Sequence, residues 1–424
     1  MTDTRILLRN GHVIDTEPEP VVHSNTDVLI ESGRIAAVGP ELPSEGATVI
    51  DATDRVVLPG FVDTHRHVWQ SALRSAAVDI DLMGYLGVMG QLGSRLRAQD
   101  IHAATLVGAL ECLESGITTL MDFSHALHTP AHADAAVDGL QAAGLRAVFG
   151  YGFPLAEAGD HDDVRRIRTE RLDDDDALVT MALAPLGPSY TPAEVVAGDW
   201  RLAAGLDLPV TFHVSAGPVA THPVSVLREQ GLLGVKALYV HGNSLDDDEL
   251  KLIADSGGAA SVTPATEAML SIGRPVAGRY RRAGVTTGLG ADAVTSAPGD
   301  MFSLMRAALI VSQVNDAATE RLSVKDVLRM ATLDGAAALG LADRIGSLRP
   351  GKQADVILLR LDDLNLLGAE RDPIAAVVTA AHPQNVDTVL VAGRVLKAAG
   401  RLVNGDLAQA TQALRAAATA VSAA

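Results

Sequence analysis

Two histidines one residue apart close the run Pro59-Gly60-Phe61-Val62-Asp63-Thr64-His65-Arg66-His67. The apolar stretch after the Pro-Gly turn reads as a strand, and alternate residues of a strand point the same way, so His65 and His67 aim at one spot. Imidazole is a common ligand of zinc and iron. Taken alone, the pair also fits two histidines satisfied by ordinary hydrogen bonds. Other candidate ligands follow at the ends of other apolar runs: His213 closes Val210-Thr211-Phe212-His213, His241 closes Ala237-Leu238-Tyr239-Val240-His241, and Asp292 closes Val285-Thr286-Thr287-Gly288-Leu289-Gly290-Ala291-Asp292. A cation with an open coordination position lowers the pKa of its water from 15.7 toward about 7, making hydroxide available at neutral pH.

Strand C-termini from distant parts of a chain meet at one face of a parallel (β/α)8 barrel of the TIM type, an α/β fold. The chain alternates accordingly. Helices are expected around 70–92 and over 100–115, 131–144, 192–205 and 245–256, with an Arg/Asp-rich helix before 177. Strands are expected over 116–123, 145–153, 177–185 and 259–264 and at the runs ending on His213, His241 and Asp292. That makes roughly eight βα units, the number a closed barrel requires. The flanks differ. Short alternating strands run up to Val57, with turns at Asn10-Gly11, Glu31-Ser32-Gly33 and Ser44-Glu45-Gly46, and resume at 346–349, 351–359 and 386–396 with a turn at Ala392-Gly393-Arg394. The expected division is a small composite β-sandwich from 1–58 and 345–404, a catalytic barrel over 59–344, and an Ala-rich C-terminal helix over 405–424.

Composition fits this plan. The 424 residues are 48% hydrophobic, enough for a large core and more than one domain. No apolar stretch approaches the roughly 20 residues of a membrane span, and Arg5 to Gly11 reads as a strand rather than a signal peptide, so a cytoplasmic location is expected. The net charge of -18 argues against nucleic acid, which needs a basic face. The runs Asp173-Asp174-Asp175-Asp176 and Asp246-Asp247-Asp248-Glu249 read as a solvated loop and an acidic first helical turn. Cys112 has no partner for an internal disulfide and reads as a small core residue.

The chain resembles the amidohydrolase superfamily, in particular its mononuclear-metal branch of cytosine, guanine and S-adenosylhomocysteine/methylthioadenosine deaminases and triazine chlorohydrolases. The matching pieces are Pro59 to His67 with Gln70 after it, the His213 strand, His241-Gly242 with the acidic helix behind it, Gly288-Leu289-Gly290-Ala291-Asp292, Gly346-Ser347-Leu348-Arg349-Pro350-Gly351-Lys352-Gln353-Ala354-Asp355, and the Val389 to Leu396 hairpin. The resemblance implies a divalent metal held by His65, His67, His213 and Asp292, with His241 near the metal-bound water. Asp292 would take the water's proton and His241 would stabilise the oxyanion. Binuclear members bridge their metals with a carbamylated lysine on the fourth strand; here no lysine precedes Lys236, so one metal is expected. Zinc is the expected ion and iron the alternative. Family members are often homo-oligomers, which sets the same expectation here.

The implied target is a carbon bonded to nitrogen in a small molecule, a flat nitrogen-containing ring above all. Departures narrow it. In the deaminases the fifth-strand histidine is followed three residues later by a glutamate that protonates the ring; His213-Val214-Ser215-Ala216 has alanine there. Leu186 stands where the nucleoside deaminases carry a substrate-binding histidine, and Ser261-Val262-Thr263-Pro264-Ala265-Thr266-Glu267 replaces their His-Cys-Pro segment. Adenosine-type nucleosides therefore fit poorly. His125 and Glu267 are the candidates to compensate, with a loop-holding histidine and an exposed loop glutamate as the plain alternatives. Trp69 and Gln70 are expected on the substrate side, with Phe123, Tyr151, Phe153 and Tyr190 as further aromatic candidates for a ring pocket. His128 and His132 are left outside. Three readings follow: deamination of a heterocycle, hydrolytic ring opening of a cyclic amide or imide, and a catalytically degenerate small-molecule binding protein.

Overall fold

The computed structural model describes residues 5–154, 159–217, 222–403 and 407–422. Eight parallel strands form the barrel: β1 (Phe61–Arg66), β2 (Ile117–Ser124), β3 (Arg146–Gly152), β4 (Val179–Ala184), β5 (Val210–Val214), β6 (Ala237–His241), β7 (Ala259–Val262) and β8 (Thr286–Leu289). Each pairs with its sequence neighbour. Every residue of β1, β2 and β3 is buried. Strands covered outside by helices and packed inside must be apolar on both faces, which is why these segments read as continuous hydrophobic runs.

The ring closes just beyond the last strand. Arg66 and Asp292 form a parallel bridge, in which the Asp292 N–H donates to the His65 carbonyl at 2.8 Å and the His67 N–H donates to the Asp292 carbonyl at 3.0 Å. Gly290 permits the approach: a Cβ there would lie 2.8 Å from the His65 carbonyl oxygen and 2.9 Å from His65 Cβ. Asp292 thus sits three residues past β8 rather than on it.

Both chain ends contribute to a separate nine-stranded mixed sheet. The strand Arg55–Pro59, immediately before β1, lies between the first strand of the chain, Arg5–Asp15, and the late strand Val356–Arg360. Its core includes Leu8, Val28, Ile30, Val57, Leu358 and Leu390. The helix Leu407–Ser422 packs against the barrel helix Ala98–Glu114. No helix among the described residues is long and apolar enough to cross a membrane.

Three local expectations need correction. Asn10-Gly11 is not a turn: Arg5–Asp15 is one strand with register shifts at Gly11, Asn10 holds φ 64°, and the Asn10 N–H is taken by Asp27 Oδ1 at 2.8 Å, so the pair makes a bulge. Residues 346–349 form no strand; Thr16 Oγ1 and Ser347 Oγ tie this segment to 16–17 through side chains instead of a ladder. The helix expected around 70–92 is split into a 3-10 turn, Val68–Leu73, and a helix, Leu82–Gly93. Left-handed Ser75 and Asp79 interrupt it, and Asp81 caps the second piece by accepting the Gly84 N–H at 2.9 Å.

Candidate metal centre

The expected residues converge at the C-terminal ends of β1, β5, β6 and β8. The rings of His65 and His67 are 4.8 Å apart, and His213 lies 4.9 Å from His65 and 5.4 Å from His67. Asp292 Oδ1 is 3.3 Å from the Nε2 atoms of both His65 and His67. One ligand atom each of His65, His213, His241 and Asp292 lies within 4.8 Å of the others. His241 (φ 72°) and Asp292 (φ 59°) both take left-handed backbone conformations that are uncommon for side-chain-bearing residues. Such conformations gather at functional sites, where the surrounding structure enforces them.

The donor set suits a divalent metal. His65 is fully buried, yet neither ring nitrogen has a hydrogen-bond partner; the approach to Asp292 is not aligned as one. Buried polar atoms left without a partner call for a ligand. The His67 Nδ1–H donates to the Phe123 carbonyl at 2.9 Å, which leaves Nε2 bare and facing Asp292. Burial pushes the His65 imidazole down to about 4 and holds His213 well below its ordinary range, so both are neutral at pH 7 with a free lone pair. Burial would raise Asp292, but His65, His67 and His241 outweigh it and hold the carboxyl well below the usual range. A carboxylate among neutral imidazoles is a donor set that suits a divalent cation.

Asp63 braces the cluster from below. Its Oδ1 accepts the Ala291 N–H at 3.1 Å and the His65 N–H at 3.3 Å, and its Oδ2 pairs with the fully buried Arg66 at 2.8 Å. Phe123 packs against His65, His67, His125 and His213.

His125 lies beside the His67 imidazole with Trp69 against it, and Gln70 follows on the same turn after His67. The His125 ring is 4.6 Å from His67 and 5.2 Å from Trp69. Trp69 Nε1, Gln70 Oε1 and His125 Nδ1 are shut off from solvent without partners. Gln70 Nε2 donates to Tyr85 Oη at 2.6 Å, so Tyr85 belongs to this wall although its helical context carried no signal for it. Glu267, a candidate to compensate for Ala216, does not take the exposed-loop alternative. It is 4% exposed rather than on a loop surface, and it lies behind His241, with Nδ1 of that ring 3.3 Å from its Oε1. Burial lowers the His241 imidazole's affinity for a proton, but Glu267 and Asp292 outweigh this and raise it above the ordinary value.

Two aromatic candidates turn away from the site. Tyr151 donates its hydroxyl to Asp163 at 2.8 Å, and Phe153 packs on Tyr151 and His161. Tyr190, 38% exposed, reaches the Ala216 backbone, its Oη accepting the Ala216 N–H at 3.2 Å. His132 is held by Thr129 and the Leu96 carbonyl, outside the site. Thr263, 3.3 Å from Asp292 Oδ2 and 3.2 Å from His241 Nδ1, and Asn243, which donates to Glu267, are further participants that spacing alone did not mark.

A parallel eight-stranded barrel with a buried His/Asp cluster at its C-terminal face defines a class of metal-dependent hydrolases. The chain belongs to the amidohydrolase family, whose model matches residues 56–396. It is 29% identical over 427 residues to a 5-methylthioadenosine/S-adenosylhomocysteine deaminase of Carboxydothermus hydrogenoformans, covering 96% of each chain. It is 32% identical over 394 residues to a 5'-deoxyadenosine deaminase of Methanothermobacter thermautotrophicus, covering 88% of this chain and 90% of that one. Among solved structures, an adenosine deaminase from Xanthomonas campestris with bound zinc superposes with a TM-score of 0.90 at 26% identity over 99% of both chains. An atrazine chlorohydrolase from Arthrobacter aurescens complexed with zinc shares the fold, with a TM-score of 0.86 at 24% identity over 97% of this chain and 100% of that one.

Proposed function

We propose that the protein is a hydrolytic deaminase of an amino-substituted nitrogen heterocycle, working with one zinc ion held by His65, His67, His213 and Asp292. The observation that carries this reading is the buried cluster itself, in which His65 has two orphaned ring nitrogens and Asp292 Oδ1 stands 3.3 Å from two imidazoles. The names of the two relatives reported above, both deaminases, support the reaction, and the zinc of the two solved neighbours supports the ion. When bound, such an ion supplies a water acidified toward neutrality and an electrophile for the developing oxyanion.

The chain's own residues do the rest. His241, although close enough to join the cluster, is assigned to the reaction rather than to the ion: its Nδ1 faces Glu267 and its Nε2 stands 3.8 Å from Asp292 Oδ2. Asp292 Oδ2 is the proton acceptor for the attacking water and passes that proton to the leaving nitrogen. His241, its proton affinity raised by Glu267 and Asp292, donates Nε2–H to the oxyanion in its doubly protonated form, Nδ1–H staying on Glu267. Trp69 Nε1, Gln70 Oε1 and His125 Nδ1 supply the polar contacts that orient the ring, and the wall of Phe123 and Trp69 excludes water.

Ala216, buried where the deaminases carry a ring-protonating glutamate, supports a second reading: ring opening of a cyclic amide or imide, which needs no ring protonation. One experiment separates the two. Zinc-loaded protein is incubated with adenosine-type nucleosides, guanine, cytosine, an aminotriazine and cyclic imides, and products are followed by ammonia release and mass. Deamination releases ammonia; a product heavier by one water without ammonia establishes ring opening instead. Asp292→Asn is expected to lower turnover by about 10²–10⁴-fold, the usual weight of a general acid-base group. Unchanged turnover would remove Asp292 from the mechanism.

A further inference from the structure

The orientation of His241 is set from behind the site. Its Nδ1 lies 3.3 Å from Glu267 Oε1 and 3.2 Å from Thr263 Oγ1, while its Nε2 points toward Asp292 Oδ2. Glu267 has no freedom to serve the substrate. Its Oε1 also accepts the Thr263 N–H at 2.9 Å, and its Oε2 accepts Asn243 Nδ2 at 3.1 Å. Asn243 is in turn anchored on the Arg274 carbonyl at 2.8 Å. Turning this carboxylate toward a ligand would strand the buried donors of Thr263 and Asn243.

An ionised carboxylate only accepts, so the ring nitrogen that faces it carries the hydrogen. Which nitrogen of a histidine is protonated follows from the hydrogen bond the other side of the ring makes. We propose that Glu267 is the positioning residue for His241: it holds the hydrogen on Nδ1 and thereby aims Nε2 at the space beside Asp292 where the reaction takes place. Thr263 completes the clamp. Its hydroxyl lies within 3.2–3.4 Å of His241 Nδ1, Asp292 Oδ2 and Glu267 Oε1, so it shares the Nδ1–H and ties the clamp to Asp292. A carboxylate that holds an imidazole in one tautomer and one direction is a known device for making histidine effective in catalysis. The kinetic consequence rests on the hydrolytic function proposed above; the tautomer is a property of the chain alone.

The competing explanation is that Glu267 only fastens the start of its own helix, Pro264–Met269, through the Thr263 N–H. Nitrogen-15 spectra of histidine-labelled protein decide between them. His241 is assigned by comparison with His241→Gln, and spectra are taken metal-free and zinc-loaded at a pH where the ring is neutral. The proposal expects the hydrogen on Nδ1 in the parent and a shift toward the Nε2–H form in Glu267→Ala. It expects unchanged zinc stoichiometry and a kcat lower by about 10–100-fold with little change in KM, the usual effect of removing such a supporting partner. Glu267→Gln keeps an accepting Oε1 and restores most of both. A parent ring with its hydrogen on Nε2, or a Glu267→Ala variant with parental tautomer and kcat, overturns the proposal. If the parent turns over no heterocycle, the function proposed above fails and the spectra still decide the role of Glu267.

Discussion

Asp292 carries the heaviest load of any residue in the molecule. Its backbone closes the barrel onto His65 and His67, and its carboxylate faces the same two imidazoles. That double use explains the left-handed backbone at this position, since the chain must turn inward at the point where it completes the ring. Metal removal has a clear expected outcome: because burial keeps His65 and His213 neutral, a chelator should abolish turnover at pH 7 and added zinc should restore it without a pH step. Metal analysis alongside activity checks this. A second prediction concerns Asp122, buried on β2 with Oδ1 accepting the Val68 N–H and Oδ2 without a partner. Burial pushes its carboxyl up to about 7 from 3.8. The folded state therefore holds a proton there that the unfolded chain has already lost, and stability drains away as pH rises through this window, by roughly 1.4 kcal/mol per unit. Asp122→Asn removes that slope. Its melting temperature relative to the parent should climb between pH 4 and pH 7 and level off above; a constant difference would refute the assignment. Asp122 gave no sign of this in the sequence, where it is one polar residue in an apolar strand.

The elements were legible where a period or a punctuating residue declared them. Each barrel strand lies on an apolar run read from the sequence, most of them opened by a Pro or Gly, because parallel strands buried on both faces leave a continuous hydrophobic trace. The errors fell where tertiary contacts override local signals. Asn10-Gly11 has the composition of a turn, yet the side chain of Asp27 captures the Asn10 N–H and the strand continues through a bulge. The apolar segment after His67 resembles one long helix, and left-handed Ser75 and Asp79 bend it so that Gln70 and Tyr85 meet. Gly290 packs closely on His65, with no room for a Cβ. Gly290→Ala would force β8 away from β1, with a stability cost of about 1–3 kcal/mol. The bridge that sets Asp292 against His65 and His67 would loosen with it. Chemical denaturation and zinc stoichiometry after dialysis should both fall; a fully retained metal would show that the closure tolerates an added methyl group.

At the scale of the molecule, the barrel and the terminal sheet are joined by a buried ion pair. Arg146, the first residue of β3, donates through Nε to Asp355 Oδ2 at 2.9 Å and through Nη2 to Oδ1 at 3.2 Å, and Oδ1 also accepts the Ala392 N–H at 2.8 Å. Both side chains are almost wholly shielded from solvent. Removing one partner leaves an unpaired buried charge, so Asp355→Ala should cost about 3–5 kcal/mol, measurable by urea denaturation, while activity of the folded fraction persists. A loss under 1 kcal/mol would mean that water replaces the pair. The amino-acid sequence by itself made the barrel, the shared terminal sheet and the histidines and aspartate at the strand ends legible, because residue type, strand periodicity and spacing are local properties that survive without coordinates. Only the tertiary structure decided that Glu267 stands behind His241, that Tyr190 reaches the Ala216 backbone, and that Thr263 and Tyr85 belong to the site. Those contacts join residues from different βα units, and the direction of a side chain across such a gap is set by packing that no single segment encodes.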